Sequence, residues 1–333
     1  MVSIREVAAS AGVSIGTVSN VLNAPDKVSP ATVARVHTAI ERLGFVRNDA
    51  ARQLRAGRSR CVGLVVLDIG NPFFSDIARA AEQRAAENNL VVLLASTDDD
   101  AERERLYLET FEEQRVFGLL ISSAREDLDR LHALRERGVP IILVDRDGRG
   151  TPFPSVTVDD KAGGLVAAHH LCQTGRRRIA FVGGPLSLHQ IADRLHGARR
   201  AIQEYPDARL AVIETSAPTV LAGRRAGEHL STASDRPEAI FCANDLLAIG
   251  VLQALTSHGI QVPADIALIG YDDIDFAQST LVPLSSVRQP STHVGSTAID
   301  LLVAAAEDRS FIDHISFEPT LVPRASTMPH NAG

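Results

Sequence analysis

From residue 61 onward two hydrophobic patterns alternate along the chain. Short continuous apolar runs at 61–67, 90–95, 118–121, 141–144, 155–158, 179–183, 210–214, 239–242 and 266–270 read as strands buried in a parallel sheet. Between them, segments 74–88, 98–114, 160–173, 190–204, 218–230 and 245–258 carry the periodicity of a helix. Strand and helix in alternation predict right-handed crossovers and doubly wound parallel sheets, an α/β architecture.

The first 45 residues follow a different rule. Ile4, Val7, Ala8 and Ala11 fall on one helical face, with Ser3 and Glu6 spaced as a capping box. Gly12 stands where a sharp turn needs a positive backbone angle, and Ser14, with Thr17 three residues on, caps a second helix. In that helix Val18, Val21 and Leu22 point inward, which leaves Ile15, Gly16, Ser19 and Asn20 facing out. A third helix opens at Ser29-Pro30 and carries Val33, Val36, Ala39, Ile40 and Leu43 before Gly44 closes it. Three such helices form a helix-turn-helix headpiece whose second helix enters a major groove, so the implied partner is double-stranded DNA. The candidate DNA contacts here are Ser3, Ser14, Ile15, Gly16, Thr17, Ser19, Asn20 and Asn23. The plainer alternative is a small helical hairpin capping a larger domain.

Charge favours the first reading. The whole chain of 333 residues carries a net charge of −7, which alone points away from nucleic acid. Residues 1–60 nevertheless hold nine Lys and Arg against four Asp and Glu, a balance of +5, and the remainder a balance of −12. Five arginines, at 47, 52, 55, 58 and 60, run through the segment joining headpiece and bulk, with Leu54 the one sizeable apolar residue among them. An apolar side chain in a basic segment has the composition of a minor-groove wedge, with Arg52 and Arg55 beside phosphates. A solvated linker with an incidental leucine is the other reading. A helix this short is marginal in water, so the segment is expected to order only on binding.

The length implies two or three domains, and 45% hydrophobic residues imply a well-folded globule. Three scattered cysteines, Cys61, Cys172 and Cys242, sit in or beside apolar runs and read as free thiols. No signal peptide opens the sequence and no apolar run is long enough to span a membrane, so the expected location is the cytoplasm.

Ligands of doubly wound sheets bind at the carboxyl ends of the strands. Polar or aromatic residues recur there: Asn71-Pro72-Phe73-Phe74, Ser122-Ser123, Asp145-Arg146, Asn244-Asp245 and Tyr271-Asp272-Asp273. Carboxylates at Asp145 and Asp272, amides at Asn71, Gln190, Asn244 and Gln289, and guanidinium forks at Arg146 and Arg194 suit adjacent hydroxyls, and Phe73 or Phe74 can cover an apolar sugar face. Each has a bland alternative: Asn244, Asp245 and Asp272 as helix caps, the phenylalanines as core. The convergence of five strand ends, Ser122 included, points to a polyol cleft.

These motifs together resemble the LacI/GalR family of bacterial transcription regulators over essentially the whole chain. The resemblance rests on Val7-Ala8, Ala11-Gly12-Val13-Ser14, Thr17-Val18-Ser19, the hinge around Leu54, Asn71-Pro72-Phe73-Phe74, Val144-Asp145-Arg146, Val158-Asp159-Asp160, 179–184, Asn244-Asp245, Val262-Pro263, 269–273 and Arg288-Gln289-Pro290. It implies a headpiece at 1–46, a hinge at 47–60 and an effector-binding and dimerisation domain at 61–333. That domain would be two subdomains of periplasmic-binding-protein type, about 61–159 with 289–320 and 160–288 with 321–333. By resemblance Leu54 pries open the central step of a palindromic operator, and Asn71, Phe73, Phe74, Asp145, Arg146, Arg194, Asn244, Asp272 and Gln289 line the effector cleft. That set also resembles ribose-type periplasmic binding proteins and so favours a sugar effector; two headpieces on a palindrome make the expected unit a homodimeric repressor, with no cofactor expected.

Two departures matter. Asn20 stands where many relatives carry arginine, and Gly16 removes a side chain from a usual base contact, which alters the operator preference. Leu188 and Gln190 replace polar positions that purine-responsive relatives use. A solute-binding protein is the first competing class, opposed by the headpiece. An enzyme is the second: Gly183-Gly184 lacks the rest of a phosphate loop, adjacent His169-His170 make a poor metal pair, and Asp98-Asp99-Asp100 reads as a capping turn.

Overall fold

The computed structural model describes residues 2–45, 59–122 and 128–328 and divides the chain into two compact units, Met1–Ser59 and Arg60–Gly333. Within the first unit three helices appear, α1 (Ile4–Ala11), α2 (Ile15–Asn23) and α3 (Pro30–Leu43). The capping box is complete: the Ser3 hydroxyl accepts from the Glu6 amide, and the Glu6 carboxylate accepts from the Ser3 amide at 2.8 Å. Gly12 takes φ 63°, and Ser14 Oγ accepts from the Thr17 amide at 3.0 Å. Val7, Ala8, Ala11, Val18, Val21, Val36 and Ala39 form the core. Ser29 departs from expectation: its hydroxyl donates to Thr32 Oγ1 at 3.0 Å and caps no amide. Here Pro30 supplies the helix start, since its fixed φ and missing N–H suit the first turn.

Two six-stranded sheets organise the second unit. The first contains β1 (Cys61–Val66), β2 (Val91–Ser96), β3 (Gly118–Ile121), β4 (Ile141–Val144), β5 (Ser155–Val158) and β11 (His314–Phe317), all parallel, in the order β11-β5-β4-β3-β1-β2. The second contains β6 (Arg178–Gly183), β7 (Arg209–Glu214), β8 (Ala239–Cys242), β9 (Ala267–Asp272), β10 (Ser285–Arg288) and β12 (Thr320–Val322), in the order β12-β10-β9-β8-β6-β7, with only β12 antiparallel. All nine apolar runs are strands. One of them differs in burial: β2 is an edge strand and leaves Val91, Leu93 and Leu94 exposed.

Helices α4 (Pro72–Glu87), α5 (Ala101–Glu113), α7 (Asp160–Gln173), α8 (His189–Gln203), α9 (Val220–Thr232) and α10 (Asp245–Ser257) match the periodic segments. Three more, α6 (Asp129–Glu136), α11 (Asp275–Gln278) and α12 (Ser291–Glu307), join them. The main chain passes between the two sheets three times: after β5, after β10 and between β11 and β12. Each half is therefore built from separated stretches of sequence, and the carboxyl ends of the strands carry the polar residues that face a shared cleft.

Candidate functional site

In the second unit the two carboxylates at the strand ends sit in backbone conformations that ordinary residues avoid. Asp145, immediately after β4, has φ 57°, and Asp272, the last residue of β9, has φ 101°. Non-glycine residues held there cost about 1–3 kcal/mol each and cluster at ligand sites. Both side chains are buried and line one cleft with Asn71, Phe73, Phe74, Gln190, Arg194 and Asn244.

Asp272 is the hub. Its Oδ2 accepts from Asn71 Nδ2 at 3.0 Å and its Oδ1 from Gln289 Nε2 at 2.7 Å, with Arg194 Nη1 at 3.8 Å. It caps no helix, since Ile274 is the N-cap of α11. Asn71 belongs to the first half, so this bond spans the cleft. A second bridge runs the other way, from Gln190 Nε2 on α8 to Asp145 Oδ2 at 2.8 Å. Arg194 and Asp272 both come from the half built on the second sheet, so the groups opposite them are Asn71 and Asp145.

How α8 delivers Arg194 follows from glycine. A Cβ on Gly164 of α7 would lie 1.9 Å from the Arg194 carbonyl oxygen, and one on Gly197 of α8 would lie 2.0 Å from the Lys161 oxygen. Only glycine allows the two helix backbones to touch. So placed, the Arg194 guanidinium lies over the Tyr271 ring, 3.9 Å from its centroid, while Nε donates to Asp160 Oδ1 at 2.7 Å and Nη1 to the Ala243 carbonyl at 2.8 Å.

Electrostatics are uneven in this pocket. Burial works against the Arg194 charge, but Asp160, Tyr271, Asp272 and Asp145 outweigh it and raise its pKa above the usual arginine value. Burial raises Asp160 and Asp272, and Arg194 opposes the rise in both. Asp145 is pushed up to about 7, by burial first and by the negative charge of Asp160 second, with Arg194 and Gln190 pulling the other way.

The remaining expected residues divide. Phe73 and Phe74 are buried, meet edge to face at 5.2 Å, and border both core and cleft. Asn244 lines the cleft with its side chain engaged as a cap, Oδ1 accepting from the Leu247 amide and Nδ2 donating to the Pro218 carbonyl. Ser122 and Gln289 are buried, and among the described residues Ser122 Oγ and Gln289 Oε1 have no hydrogen-bond partner. Arg146 is half-buried in a neighbouring cavity of about 550 Å³ that shares Asp145 and Gln190 with the cleft.

In the headpiece Ile15, Gly16 and Asn20 are exposed on α2, as are Ser3 and Ser14, whose hydroxyls serve as caps. Thr17 and Ser19 are half-buried, and Asn23 donates to the Ser19 carbonyl at 2.7 Å. Arg47, Arg52, Leu54, Arg55 and Arg58, together with Ser123, lie outside the described residues. Asp245 is buried behind the cleft, accepting from Ser286 Oγ and the Ile274 amide. His169 pairs with Glu204, His170 with Thr327, and Asp100 caps α5.

Asp160 and Tyr271 were missing from the expected set. For Asp160 a signal existed: Asp159 alone caps α7, accepting from the Ala162 amide at 2.9 Å, which leaves the second carboxylate for another partner. Nothing in the sequence marks Tyr271 as the surface on which an arginine rests.

A family model described as bacterial regulatory proteins, lacI family, matches residues 3–48, and one described as a periplasmic binding protein-like domain matches residues 168–327. Curated relatives include the HTH-type transcriptional regulator DegA of Bacillus subtilis (strain 168), 33% identical over 99% of both chains. The HTH-type transcriptional repressor PurR of Aliivibrio fischeri (strain MJ11) is 31% identical over 98% of this chain and 99% of its own. The ribose operon repressor of Bacillus subtilis (strain 168) is 31% identical with the same coverage. Among solved structures, a lac repressor dimer bound to operator and the anti-inducer ONPF superposes with a TM-score of 0.87 at 27% identity, over 98% of this chain and 99% of that one. A LacI family regulator from Enterococcus faecium with bound ribose gives 0.74 at 27% identity, over 81% and 99%. With its headpiece, its paired parallel sheets and these end-to-end matches, the chain belongs to the lacI family of bacterial regulatory proteins.

Proposed function

We propose that this chain is a cytoplasmic, operator-binding repressor, not an enzyme, whose DNA affinity is switched by a small sugar held between the two halves of residues 61–333. The carrying observation is the convergence of Asn71, Asp145, Arg194 and Asp272, all buried, on one cleft bridged from both sides, with buried Gln289 donating to Asp272. Paired carboxylates and amides facing a guanidinium match vicinal hydroxyls, and the Phe73 and Phe74 rings supply an apolar wall. A pentose or hexose fits best, ribose-like by the ribose-bound relative. The PurR relatives favour a nucleobase instead. Against it, Leu188 at the N-cap of α8 offers no polar side chain to a purine edge, and the Gln190 amide is engaged with Asp145. The deciding experiment is a thermal-shift screen of the full chain with pentoses, hexoses, their phosphates and purine bases, followed by operator titration with each hit. A response to purines alone overturns the sugar reading.

The working unit is a homodimer on a palindrome, with headpiece 1–46, hinge 47–60 and an effector domain whose halves are about 61–159 with 289–320 and 160–288 with 321–333. Exposed apolar side chains support self-association: Val91, Leu93 and Leu94 on the open edge β2, and Leu281, the most exposed large apolar residue described. Asn20→Ala is expected to cost about 1–3 kcal/mol on the operator and to relax preference at one base pair per half-site. Equal weakening on all sequences, read by anisotropy titration, would make Asn20 a phosphate contact. From sequence alone, Leu54→Ala is expected to weaken operator binding by a few kcal/mol and leave nonspecific binding nearly unchanged. An unaltered operator affinity would reduce the segment to a linker.

A further inference from the structure

Three buried carboxylates surround a single buried guanidinium, Asp145 and Asp272 lining the cleft and Asp160 the adjoining cavity, and the sharing is unequal. Asp160 takes Arg194 Nε at 2.7 Å, and Asp272 takes two amide donors with Arg194 beside it. Among the described residues Asp145 receives one neutral donor, Gln190 Nε2, and its buried Oδ1 has no hydrogen-bond partner. An ionised carboxylate in that position is both desolvated and short of donors, which disfavours the charged form.

The groups that face Asp145 do not remedy this. From α7 comes Asp160, from β9 Asp272, and from α8 Gln190 and the already engaged Arg194. The adjoining cavity brings Arg146, the next residue in the chain, and His189 to the same wall; there Arg149 is held by Asp147 at 2.7 Å and Lys161 lies 3.4 Å from Asp193. Of these three carboxylates, Asp145 is the one with no cation at ion-pair distance among the described residues, and burial together with Asp160 pushes its pKa up.

We propose, building on the polyol reading of the cleft, that Asp145 holds a proton in the ligand-free protein and releases it to solvent when hydroxyl groups of the effector donate to its carboxylate. No covalent bond changes. The proton leaves the carboxyl group, and the unpartnered oxygen gains the donors that stabilise its negative charge. Effector affinity then depends on pH. Below neutral pH the effector must displace a proton, so affinity falls by up to tenfold per pH unit, and above it the affinity is flat. The regulator consequently senses acidity together with its effector, and the effector must accommodate Gln190, the hydrogen-bond donor to Asp145 among the described residues.

Two measurements on the full-length protein test this. The first needs no ligand: an infrared difference spectrum between pH 6 and pH 8 is expected to show the carbonyl stretch of a protonated carboxyl group that Asp145→Asn removes. A spectrum in which the variant loses nothing overturns the proposal. The second is calorimetry with D-ribose at pH 6.5 in buffers of different ionisation enthalpy, where up to one proton released per site is expected. Heats identical in all buffers, with binding intact, overturn the coupling. Absence of binding by D-ribose and every other sugar in the screen counts against the sugar reading, and the infrared result then decides the proton claim by itself.

Discussion

Replacing Asp272 by alanine is expected to abolish the effector response while the ligand-free protein still binds its operator. Asp272 gathers Asn71 from one half, Arg194 from the other and Gln289 from the crossing after β10, so its loss strands at least two buried amide donors and unbalances Arg194. Each unpaired buried donor costs about 1–3 kcal/mol, and hydrogen bonds to a charged group stand at the upper end of their range. Effector affinity should fall by about one hundredfold or more in calorimetric titration, since about 2.8 kcal/mol corresponds to that ratio. Asp272 caps no helix, so the variant should keep its secondary structure. An unchanged dissociation constant for the effector in the folded variant would relocate the site.

Gly164→Ala should be among the most damaging single substitutions outside the binding groups. Its methyl would sit 1.9 Å from the backbone oxygen of Arg194, and backbone cannot swing aside as a flexible side chain can. The helices must separate, and overpacking of this kind costs about 3 kcal/mol or more. Urea denaturation measures that loss. Because Arg194 rides on the displaced helix, effector affinity should fall as well. Stability within about 1 kcal/mol of the parent would show that α7 and α8 can slide apart and that glycine does not fix Arg194 in place.

Much of the architecture was legible in the sequence because parallel strands buried on both faces write continuous apolar runs. The strands that escaped notice, β10, β11 and β12, read Ser-Ser-Val-Arg, His-Ile-Ser-Phe and Thr-Leu-Val. They are short and polar because they border the crossings between halves or lie at sheet edges. Helix α12 has apolar spacing at Val294, Ala298, Ile299, Leu302 and Ala305, yet no apolar strand precedes it to announce a crossover. Of the cleft, residue types and strand-end positions were readable, since a polar group after an apolar run stands out. Pairings were not. That Asn71 reaches Asp272, 201 positions away, depends on how two sheets face each other, which no local pattern encodes. The strained backbone at Asp145 and Asp272 was equally silent, because aspartate ordinarily avoids φ above zero.

The three passages between the halves also govern how the chain can be made. β10, β11 and β12 come from residues 285–322, and they complete the open sides of β9 and β5. A ribosome that has released everything up to Asp272 has therefore delivered two unfinished sheets, each with an unpaired edge. Neither half can reach its final pairing early, so residues 61–272 must wait, exposed, until 285–322 have emerged. A stop codon ahead of residue 285 would yield sticky fragments in place of a smaller working protein.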